Sequence, residues 1–475
     1  MSLADALRSA PAAGVARGAL AEGEDAWIVG GAVRDAIRGR PVVDLDLAVA
    51  GDERGLARGI AERAGGVAFE LSAEFGTWRA LAADRSWHAD VARLRGPTIE
   101  ADLDQRDFTA NAIAVSLRDP AAGPIDPTGG AADLEAGVLR AVSARSFAED
   151  PLRILRAARL GAELGLEPVP RTRELALESS TRAGEPAGER QLAELRLLIS
   201  GADPIAGLRL LDELGATAAV LPELAALRGV IQNPNHHLDV YDHTIEVLAQ
   251  LLAVERDLDR YAGEAAGEVR GLLDQPLADD FSRGGALRFG AVLHDVGKPV
   301  TRRQHPDGMV SFIGHDREGA SIVAAACERL KASRALSRHL EALALHHLHL
   351  GFMARERPLS RRREYEYLRL TAPVAADVTL LTIADRLSAR GSGPTASAAM
   401  IEAHLELARE LLPAAVRWHR DGPPRAPLAG DQLAAAIGIE PGPELGRLIG
   451  EIEGAVYTGE VETAEDAIAL AKRLQ

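Results

Sequence analysis

The sequence predicts an α+β protein in which a mixed N-terminal domain precedes three helical regions. From Trp27 to about Arg140, short runs of β-forming residues alternate with alanine-rich helical stretches. From Ser146 onward, apolar residues instead recur at the spacing of an amphipathic helix. A chain of 475 residues is also too long for one ordinary hydrophobic core. We therefore expect four regions, at 1–140, 141–226, 227–395 and 396–475.

Composition limits the functional classes. Hydrophobic residues make up 47% and charged residues 26% of the chain, as in a globular protein. The single cysteine, Cys327, excludes an intramolecular disulfide and a cysteine-based zinc site. A net charge of −16 disfavours a protein that coats DNA, and no apolar run reaches the roughly 20 residues needed to cross a membrane. The first residues lack a signal-peptide pattern. We expect a cytoplasmic protein with neither a membrane nor DNA as its partner.

The segment WIVGGAVRDAI, residues 27–37, predicts a strand, a glycine turn and a helix. Gly30 and Gly31 remove side chains where a backbone approaches phosphate oxygens, and the N–H groups of the helix start then face the anion. Arg34, one turn into the helix, adds a charged donor for the same phosphates. Taken alone, an ordinary strand–turn–helix connection explains this segment better, because Gly-Gly turns are common.

Two carboxylates follow in VVDLDLAV, residues 42–49. Residues two apart in a strand share a face, so Asp44 and Asp46 converge while leucines pack behind them. Such a pair repels unless a cation separates the charges, and Mg²⁺ prefers oxygen ligands and carries nucleotide phosphates. An acidic strand edge is the alternative. Asp90, in WHADVARLR, is the candidate for a third acid, although an ordinary surface carboxylate explains it nearly as well.

Five segments then occur in order: GGAVRD at 30–35, DLD at 44–46, QRDFTANAIA at 105–114, IDPTGG at 125–130 and EDPLRILRAAR at 149–159. Together they resemble the tRNA nucleotidyltransferase and poly(A) polymerase family, bacterial-eukaryal class, over almost the entire chain. The resemblance implies a polymerase-β-like nucleotidyltransferase head with a mixed or antiparallel sheet, followed by an all-α neck, an HD domain and a tail. Two Mg²⁺ ions would activate a ribose 3′-hydroxyl and stabilise the leaving pyrophosphate.

The resemblance also implies roles for residues at matching positions. The implied catalytic acids are Asp44, Asp46 and Asp90, of which Asp44 and Asp46 bind Mg²⁺. The implied nucleotide-binding residues are Gly30, Gly31, Arg34, Arg106, Asp107, Asp150, Arg153, Arg156 and Arg159. Asn111 would brace the turn that carries Arg106 and Asp107.

The sequence departs from the family pattern in two places. The family usually has Arg-Arg-Asp where this chain has Gln105-Arg106-Asp107, so one expected cation is missing. Residues 91–105 alone connect Asp90 to Arg106, where the family usually has a long flexible loop. A short loop resembles enzymes that add two cytidines but do not switch to adenosine.

The segment EDPLRILRAAR predicts a helix with acids in its first turn, and Asp150, Arg153, Arg156 and Arg159 on one broad face. Cytosine and adenine both present an amino donor beside a ring-nitrogen acceptor. A carboxylate with a guanidinium, here Asp150 with Arg153, matches that pattern and rejects guanine and uracil. Solvated ion pairs on an amphipathic helix are the alternative, and the upstream motifs favour the base template.

Histidines cluster after residue 235 and are accompanied by acids. Their order resembles the HD metal-dependent phosphohydrolase family, which implies a site for an unidentified divalent metal. The implied ligands are His243, His294, Asp295, His315, His346, His347 and Asp385. Which of the adjacent His346 and His347 binds the metal is left open. Lys298 lies just past the His-Asp pair, where it can meet a phosphate.

These patterns predict an enzyme that adds nucleotides from CTP and ATP to the 3′ end of tRNA without a nucleic-acid template. Phosphoester hydrolysis at the HD site would be a second activity. A CC-adding enzyme, a poly(A) polymerase, and an HD phosphohydrolase with a non-catalytic head remain open. The segment SRRREYEYLRL, residues 360–370, offers arginines and tyrosines for RNA contact, but a solvated helix face explains it somewhat better.

Overall fold

The computed structural model describes residues 2–72, 76–354 and 356–475. The chain divides into two compact units. The first comprises Met1–Pro186 and Gly201–Val220, and the second comprises Ala187–Ser200 and Leu221–Gln475. Across the described residues the architecture is a mixed sheet with helices, followed by helical regions, so the predicted α+β class is confirmed.

Seven of the described strands form the sheet of the first unit. They are β1 (Ala26–Val29), β2 (Leu45–Val49), β3 (Val67–Ser72), β4 (Thr77–Leu81), β5 (His88–Arg93), β6 (Ala114–Ser116) and β7 (Pro124–Ile125). Their order is β3-β4-β5-β2-β1-β6-β7. Strands β2 and β5 pair in parallel and the other neighbours pair antiparallel, so the sheet is mixed as expected.

Helices accompany this sheet. They are α1 (Leu3–Ser9), α2 (Pro11–Ala19), α3 (Gly31–Ile37), α4 (Glu53–Arg63), α5 (Ile99–Leu103) and α6 (Gly130–Glu135). The predicted strand at 42–49 begins only at Leu45. The expected alternation nevertheless holds, because Leu45 and Leu47 are buried while Asp44 and Asp46 are exposed. In place of a long loop, β5 is followed by a turn and the five-residue helix α5.

A helical region completes the first unit and leads into the second. Its elements are α7 (Ser146–Glu149), α8 (Leu152–Leu164), α9 (Pro170–Ser179), α10 (Gly188–Ser200), α11 (Pro204–Glu213), α12 (Thr217–Val220) and α13 (Pro222–Ala225), with the short parallel pair β8 (Val138–Leu139) and β9 (Glu167–Pro168). Helix α8 packs against α11. It ends at Gly165, whose φ of 64° is the left-handed conformation that terminates many helices.

The second unit is almost entirely helical. Besides α10 and α13, its helices are α14 (Val240–Arg256), α15 (Leu258–Ala262), α16 (Ala266–Leu273), α17 (Arg283–Leu293), α18 (Lys298–Thr301), α19 (His315–Arg329), α20 (Arg334–His346), α21 (His349–Met353), α22 (Arg361–Thr371), α23 (Ala375–Ser388), α24 (Ala398–Asp421), α25 (Gly430–Ile437), α26 (Pro443–Thr458) and α27 (Ala464–Leu474). Two short hairpins interrupt them, β10 (Pro276–Ala278) with β11 (Phe281–Ser282) and β12 (Arg303–Gln304) with β13 (Val310–Ser311).

Helix α24 contributes to the same hydrophobic core as α14 and α23, through residues such as Leu407, Leu411 and Leu412. Helices α25–α27 enclose a smaller core of their own around Leu433 and Ile452. The predicted division into four regions stays a prediction.

Helix α22 does not offer its tyrosines to RNA. Tyr365 and Tyr367 are 1% and 2% exposed, and both lie in the hydrophobic core of the second unit. The arginine Arg362 pairs with Glu451, and Arg363 pairs with Glu356. Burial of both rings stabilises the helix against its neighbours, so base stacking on these tyrosines is excluded.

No single helix in the described ranges is long and apolar enough to span a membrane. One pair, Arg361–Thr371 with Ala375–Ser388, meets the length and composition criteria together, but it is bent by 98°.

Candidate active site and metal cluster

The turn between β1 and α3 requires glycine. Gly30 has φ +66° and ψ −132°, a conformation that residues with a side chain rarely adopt. A Cβ atom at this position would lie 3.2 Å from Asp46 Oδ2 and 3.4 Å from Arg106 Nη1. Any other residue type would therefore need a small displacement of the Asp46 carboxylate in addition to an unfavourable backbone conformation.

Replacing Gly30 with alanine is expected to lower the free energy of unfolding by about 1–3 kcal/mol, because the backbone conformation is strained for alanine. The added carbon would also displace Asp46 or Arg106, and misplacements of this kind cost up to about 10²-fold in rate. Chemical unfolding and nucleotide incorporation measure the two effects. Gly14→Ala is the control, because Gly14 lies in α2 with open space around it. Equal behaviour of the two variants would contradict the requirement for glycine.

Asp46 and Asp90 occupy directly paired positions on the parallel strands β2 and β5. Loss of hydration at Asp46 and the negative charge of Asp90 together raise the pKa of the Asp46 carboxyl, although the residue still reaches solvent. The positive charge of Arg106 opposes that increase. A bound cation would relieve the same repulsion, so the charge distribution fits a divalent metal.

The other two predicted acids have partners. Asp44 Oδ1 accepts a hydrogen bond from the backbone N–H of His88 at 2.9 Å and lies 2.9 Å from His88 Nδ1. Both oxygens of Asp90 accept from Arg79, at 2.7 Å each. Within the described ranges, the three acids do not bring three ligand atoms within 4.8 Å of one another. Asp90 is thus near Asp46 but held by Arg79, and its role as a third catalytic acid stays a prediction.

A polar network connects Arg34 to α8. Arg34 Nη1 donates to Asn111 Oδ1 at 2.9 Å, and Asn111 Nδ2 donates to Asp107 Oδ1 at 3.1 Å. Asp107 Oδ2 accepts from Arg156 Nη1 at 3.2 Å. Burial alone would raise the pKa of the Asp107 carboxyl, but Arg156 and the Asn111 hydrogen bond outweigh it and leave that pKa below its ordinary value. Asn111 therefore bridges two of the predicted nucleotide-binding residues.

The predicted helix face of EDPLRILRAAR is correct for its arginines but wrong for its acid. Helix α8 begins at Leu152, with Pro151 as its N-cap, and Asp150 has extended backbone angles. The ring of a proline disfavours helical geometry in the preceding residue, so the helix starts after it. Arg153, Arg156 and Arg159 do share the partly exposed face of α8, while the residues between them are buried.

Arg153 reaches back toward the segment that follows β5. Its Nη1 donates to Ser146 Oγ at 3.0 Å, and its Nη2 donates to the Gln105 carbonyl at 3.0 Å. Asp150 Oδ1 accepts from the backbone N–H of Leu152 at 3.3 Å. The proposed template pair thus lies at the start of α8.

A buried cluster of histidines and acids lies in the second unit. Three of its histidines each donate a hydrogen bond from Nδ1 to the carbonyl three residues earlier, which fixes the ring and turns Nε2 inward. These bonds run from His294 to Ala291 at 2.8 Å, from His315 to Phe312 at 2.7 Å, and from His347 to Ala344 at 2.7 Å. The inward Nε2 of His294 is buried and makes no hydrogen bond. That orphaned nitrogen fits a metal ligand.

Asp295 is the centre of the cluster. Two sets of ligand atoms fall within 4.8 Å of one another, His243 with His294 and Asp295, and Asp295 with His315 and His347. Burial would raise the pKa of the Asp295 carboxyl, but the charges of His294 and Lys298 hold it well below its ordinary value. A buried carboxylate shared by two nitrogen-rich sets suits one or two divalent ions.

Two further predicted residues border this cluster. Asp385 Oδ1 lies 3.0 Å from His243 Nε2. The Lys298 ammonium lies 2.6 Å from Asp295 Oδ2 and donates to Gln232 Oε1 at 2.8 Å.

Of the two adjacent histidines, His347 belongs to the cluster and His346 does not. His347 Nε2 lies 3.2 Å from His315 Nε2, whereas the His346 ring packs against His349, with 5.2 Å between the ring centroids. Consecutive residues of a helix point about 100° apart, so only one of the pair can face the cluster. The prediction that His346 is a metal ligand is therefore wrong, and His347 takes that place in the cluster.

Sequence reasoning missed several residues of both sites. Gln232 and His236 precede α14 and border the histidine cluster, and burial lowers the pKa of His236 to about 3. The adjacent histidines at 236–237 signalled this segment, but nothing in the sequence distinguished Gln232. Arg79 lies on β4, a strand the sequence pattern did not reveal, so its pairing with Asp90 was not foreseeable.

Two family models match the chain. The Poly A polymerase head domain matches residues 26–140, and the HD domain matches residues 240–390. The first range contains the acid cradle, which is formed by Gly30, Asp46 and Arg106 with Asp90 paired beside Asp46, and the second range contains the histidine cluster.

Full-length relatives are also similar to the chain. The A-adding tRNA nucleotidyltransferase of Deinococcus radiodurans is 37% identical over 457 residues, which cover 94% of this chain and 95% of that protein. The CC-adding tRNA nucleotidyltransferase of Thermus thermophilus is 32% identical over 94% of this chain and 93% of that protein.

Solved structures share the fold. The Thermotoga maritima CCA-adding enzyme in complex with tRNA has a TM-score of 0.59 and 19% identity, and covers 100% of this chain and 99% of its own. A CCA-adding enzyme in complex with CTP has a TM-score of 0.60 and 20% identity, and covers 99% of this chain and 97% of its own.

Proposed function

Because this chain belongs to the tRNA nucleotidyltransferase and poly(A) polymerase family, we propose that it adds nucleotides from CTP and ATP to the 3′ end of tRNA. The observation that carries this proposal is the cradle in which Gly30, Asp46 and Arg106 meet, with Asp90 paired beside Asp46. A carboxylate whose charge is crowded by another carboxylate is what a divalent metal neutralises.

The residues around the cradle have distinct roles in this proposal. Gly30 and Gly31 let the triphosphate approach the start of α3, and Arg34 and Arg106 bind its oxygens. Asp44 and Asp46 would hold Mg²⁺, which when bound lowers the pKa of the terminal ribose hydroxyl and stabilises the pyrophosphate that leaves. The N–H of His88 and its ring orient the Asp44 carboxylate.

Base selection falls to Asp150 and Arg153 at the start of α8. Their carboxylate and guanidinium match the amino donor and ring-nitrogen acceptor shared by cytosine and adenine. Guanine and uracil present the reverse pattern and would leave buried polar groups unpaired, which costs more than the absence of a contact. The partners of Arg153, Ser146 and Gln105, support a fixed guanidinium.

Incubation with transcripts of one tRNA that end before the CCA sequence, after C, or after CC tests the proposal. We expect incorporation from CTP or ATP and at least ~10²-fold lower incorporation from GTP and UTP. Product length on a sequencing gel distinguishes CCA addition from CC addition, from A addition and from a poly(A) tail. Absence of incorporation from every transcript and every nucleotide would overturn the proposal and favour a head that only binds.

Metal-dependent phosphoester hydrolysis at the histidine cluster is the second candidate function. The observation that favours it is the buried Asp295 shared by two nitrogen-rich ligand sets, with the Lys298 ammonium beside it as a cation for a phosphate. The metal would polarise the phosphoryl group and activate water. Hydrolysis of bis(p-nitrophenyl) phosphate in the presence of Mn²⁺, Ni²⁺, Zn²⁺ or Mg²⁺, read by absorbance, tests it, and no turnover with any ion would leave the cluster a binding site.

A further inference from the structure

Two guanidinium groups converge on one carbonyl in a cleft whose lining includes Arg153 of the proposed base template. Arg153 Nη2 donates to the Gln105 carbonyl at 3.0 Å, and Arg95 Nη1 donates to the same oxygen at 3.5 Å. Arg95, Gln105 and Arg153 line one cleft together with Arg93, Glu53 and Glu149. Like charges that share one neutral acceptor repel, so this arrangement favours a bound anion.

The acids of this cleft do not neutralise that pair. Glu53 is 3.0 Å from Arg93 Nε, and Glu149 is 3.4 Å from Arg145 Nε. In the ranges that the structure describes, neither Arg95 nor Arg153 has a carboxylate oxygen within 4.0 Å of its guanidinium. Among the described residues, a chain with a net charge of −16 thus leaves two arginines of this cleft without acidic partners.

The backbone around Arg95 is fixed rather than loose. Its N–H donates to Oδ1 of the buried Asp102 at 3.1 Å, and Gln105 Nε2 donates to its carbonyl at 3.0 Å. The other oxygen of Asp102 accepts from Arg106 at 2.9 Å. Partial burial, followed by the positive charge of Arg106, lowers the pKa of the Arg95 guanidinium, and the negative charge of Asp102 opposes that decrease.

We propose that Arg95 binds a phosphate group in this cleft and supplies, from the shortened segment after β5, the cation that Gln105 does not provide. The inference rests on the function proposed above, because it deepens the account of that site. A guanidinium forms a two-pronged, charge-assisted bond with phosphate oxygens. The phosphate belongs either to the incoming nucleotide or to the 3′ end of the tRNA, and these two sources share the same chemistry.

Steady-state kinetics of Arg95→Ala and Arg95→Lys test the proposal. Because Arg95→Ala removes a charge-assisted bond, we expect its kcat/KM to fall by about 10–100-fold. Arg95→Lys keeps the positive charge and should retain more of the wild-type kcat/KM. Arg171→Ala is the control, because Arg171 lies on α9 outside the lining of this cleft and pairs with Glu174 at 3.0 Å, and we expect it to stay within about twofold of wild type.

A charge-relocation variant separates binding from structure. Gln105→Arg in the Arg95→Ala background returns a guanidinium to the same cleft, so it should recover much of the lost kcat/KM. A higher KM for CTP and ATP assigns the phosphate to the nucleotide, and a higher KM for tRNA assigns it to the primer end. Values for Arg95→Ala within twofold of wild type, or a loss that neither Arg95→Lys nor Gln105→Arg relieves, would overturn the proposal.

Direct binding keeps this inference distinct from the proposed function. Calorimetry with tripolyphosphate and fluorescence anisotropy with tRNA lacking its CCA end require no catalysis. If the wild-type protein incorporates no nucleotide but Arg95→Ala still weakens one of these ligands about 10-fold or more, the proposed function fails and the phosphate site stands. If the wild-type protein incorporates nucleotides and both ligands bind Arg95→Ala as tightly as they bind wild type, the proposed function stands and the phosphate site fails.

Discussion

Asp46→Asn is expected to lower nucleotide incorporation by about 10³-fold or more while leaving the head folded. The substitution keeps the shape of the side chain but removes the negative charge that would hold a divalent ion, and metal stabilisation of a phosphoryl transfer is worth several kcal/mol. The change also relieves repulsion with Asp90, so the free energy of unfolding should stay equal or rise. Single-turnover incorporation with labelled CTP and chemical unfolding measure the two quantities.

Two further variants test this prediction, one expected to retain incorporation and one expected to lose it. Asp84→Asn changes an exposed acid in the turn between β4 and β5, whose carboxylate bonds only to Ser86 among the contacts that the structure describes, and it should retain incorporation. Asp44→Asn should share the loss, because Asp44 is the second acid of the pair. Incorporation by Asp46→Asn within tenfold of wild type would remove the acid cradle from the proposed mechanism.

Asp295→Asn is expected to weaken divalent metal binding in the second unit by at least ~100-fold. Asp295 belongs to both ligand sets of the cluster, so one substitution affects each of them. A metal at 100 times its dissociation constant stabilises the protein that binds it by about 2.7 kcal/mol. The Asp295→Asn variant should lose this stabilisation together with the metal. Metal content by mass spectrometry after dialysis and the metal-dependent shift in Tm measure the loss without reference to any activity.

The adjacent histidines provide a matched pair for this experiment. His347→Ala should also lose metal, whereas His346→Ala should retain it, because the His346 ring packs against His349 outside the cluster. Nucleotide incorporation by the head should survive Asp295→Asn and His347→Ala. Equal metal content in the two histidine variants would contradict the assignment, and equal loss of incorporation in Asp46→Asn and Asp295→Asn would contradict two separate sites.

The head shows how far local patterns reach. The alternation of Leu45 and Leu47 with Asp44 and Asp46 correctly predicted buried leucines and exposed acids, because the side-chain period of a strand is two residues. The same pattern overestimated the strand, which begins only at Leu45. It also could not reveal that Arg79 occupies both oxygens of Asp90, since that contact joins strands whose pairing depends on the whole sheet.

In the proposed base template, the spacing rule for helix faces competes with the effect of a proline on the residue before it. Spacing by three residues correctly put Arg153, Arg156 and Arg159 on one helix face. Extension of that spacing to Asp150 failed, because Pro151 disfavours helical geometry in the residue before it. Similarly, the arginine–tyrosine segment of α22 suggested RNA contact, but the core of the second unit takes up both tyrosines.

The sequence by itself determined the fold class, the order of the motifs and the residue types available for chemistry, because strand and helix periods and glycine turns are local properties of the chain. Only the tertiary structure decided which of these side chains meet. It separated His347 from His346, bound Asp90 to Arg79, and brought Arg95 and Arg153 to one carbonyl. These side-chain contacts depend on how elements distant in the sequence pack against one another, and no periodicity within a single segment encodes that packing.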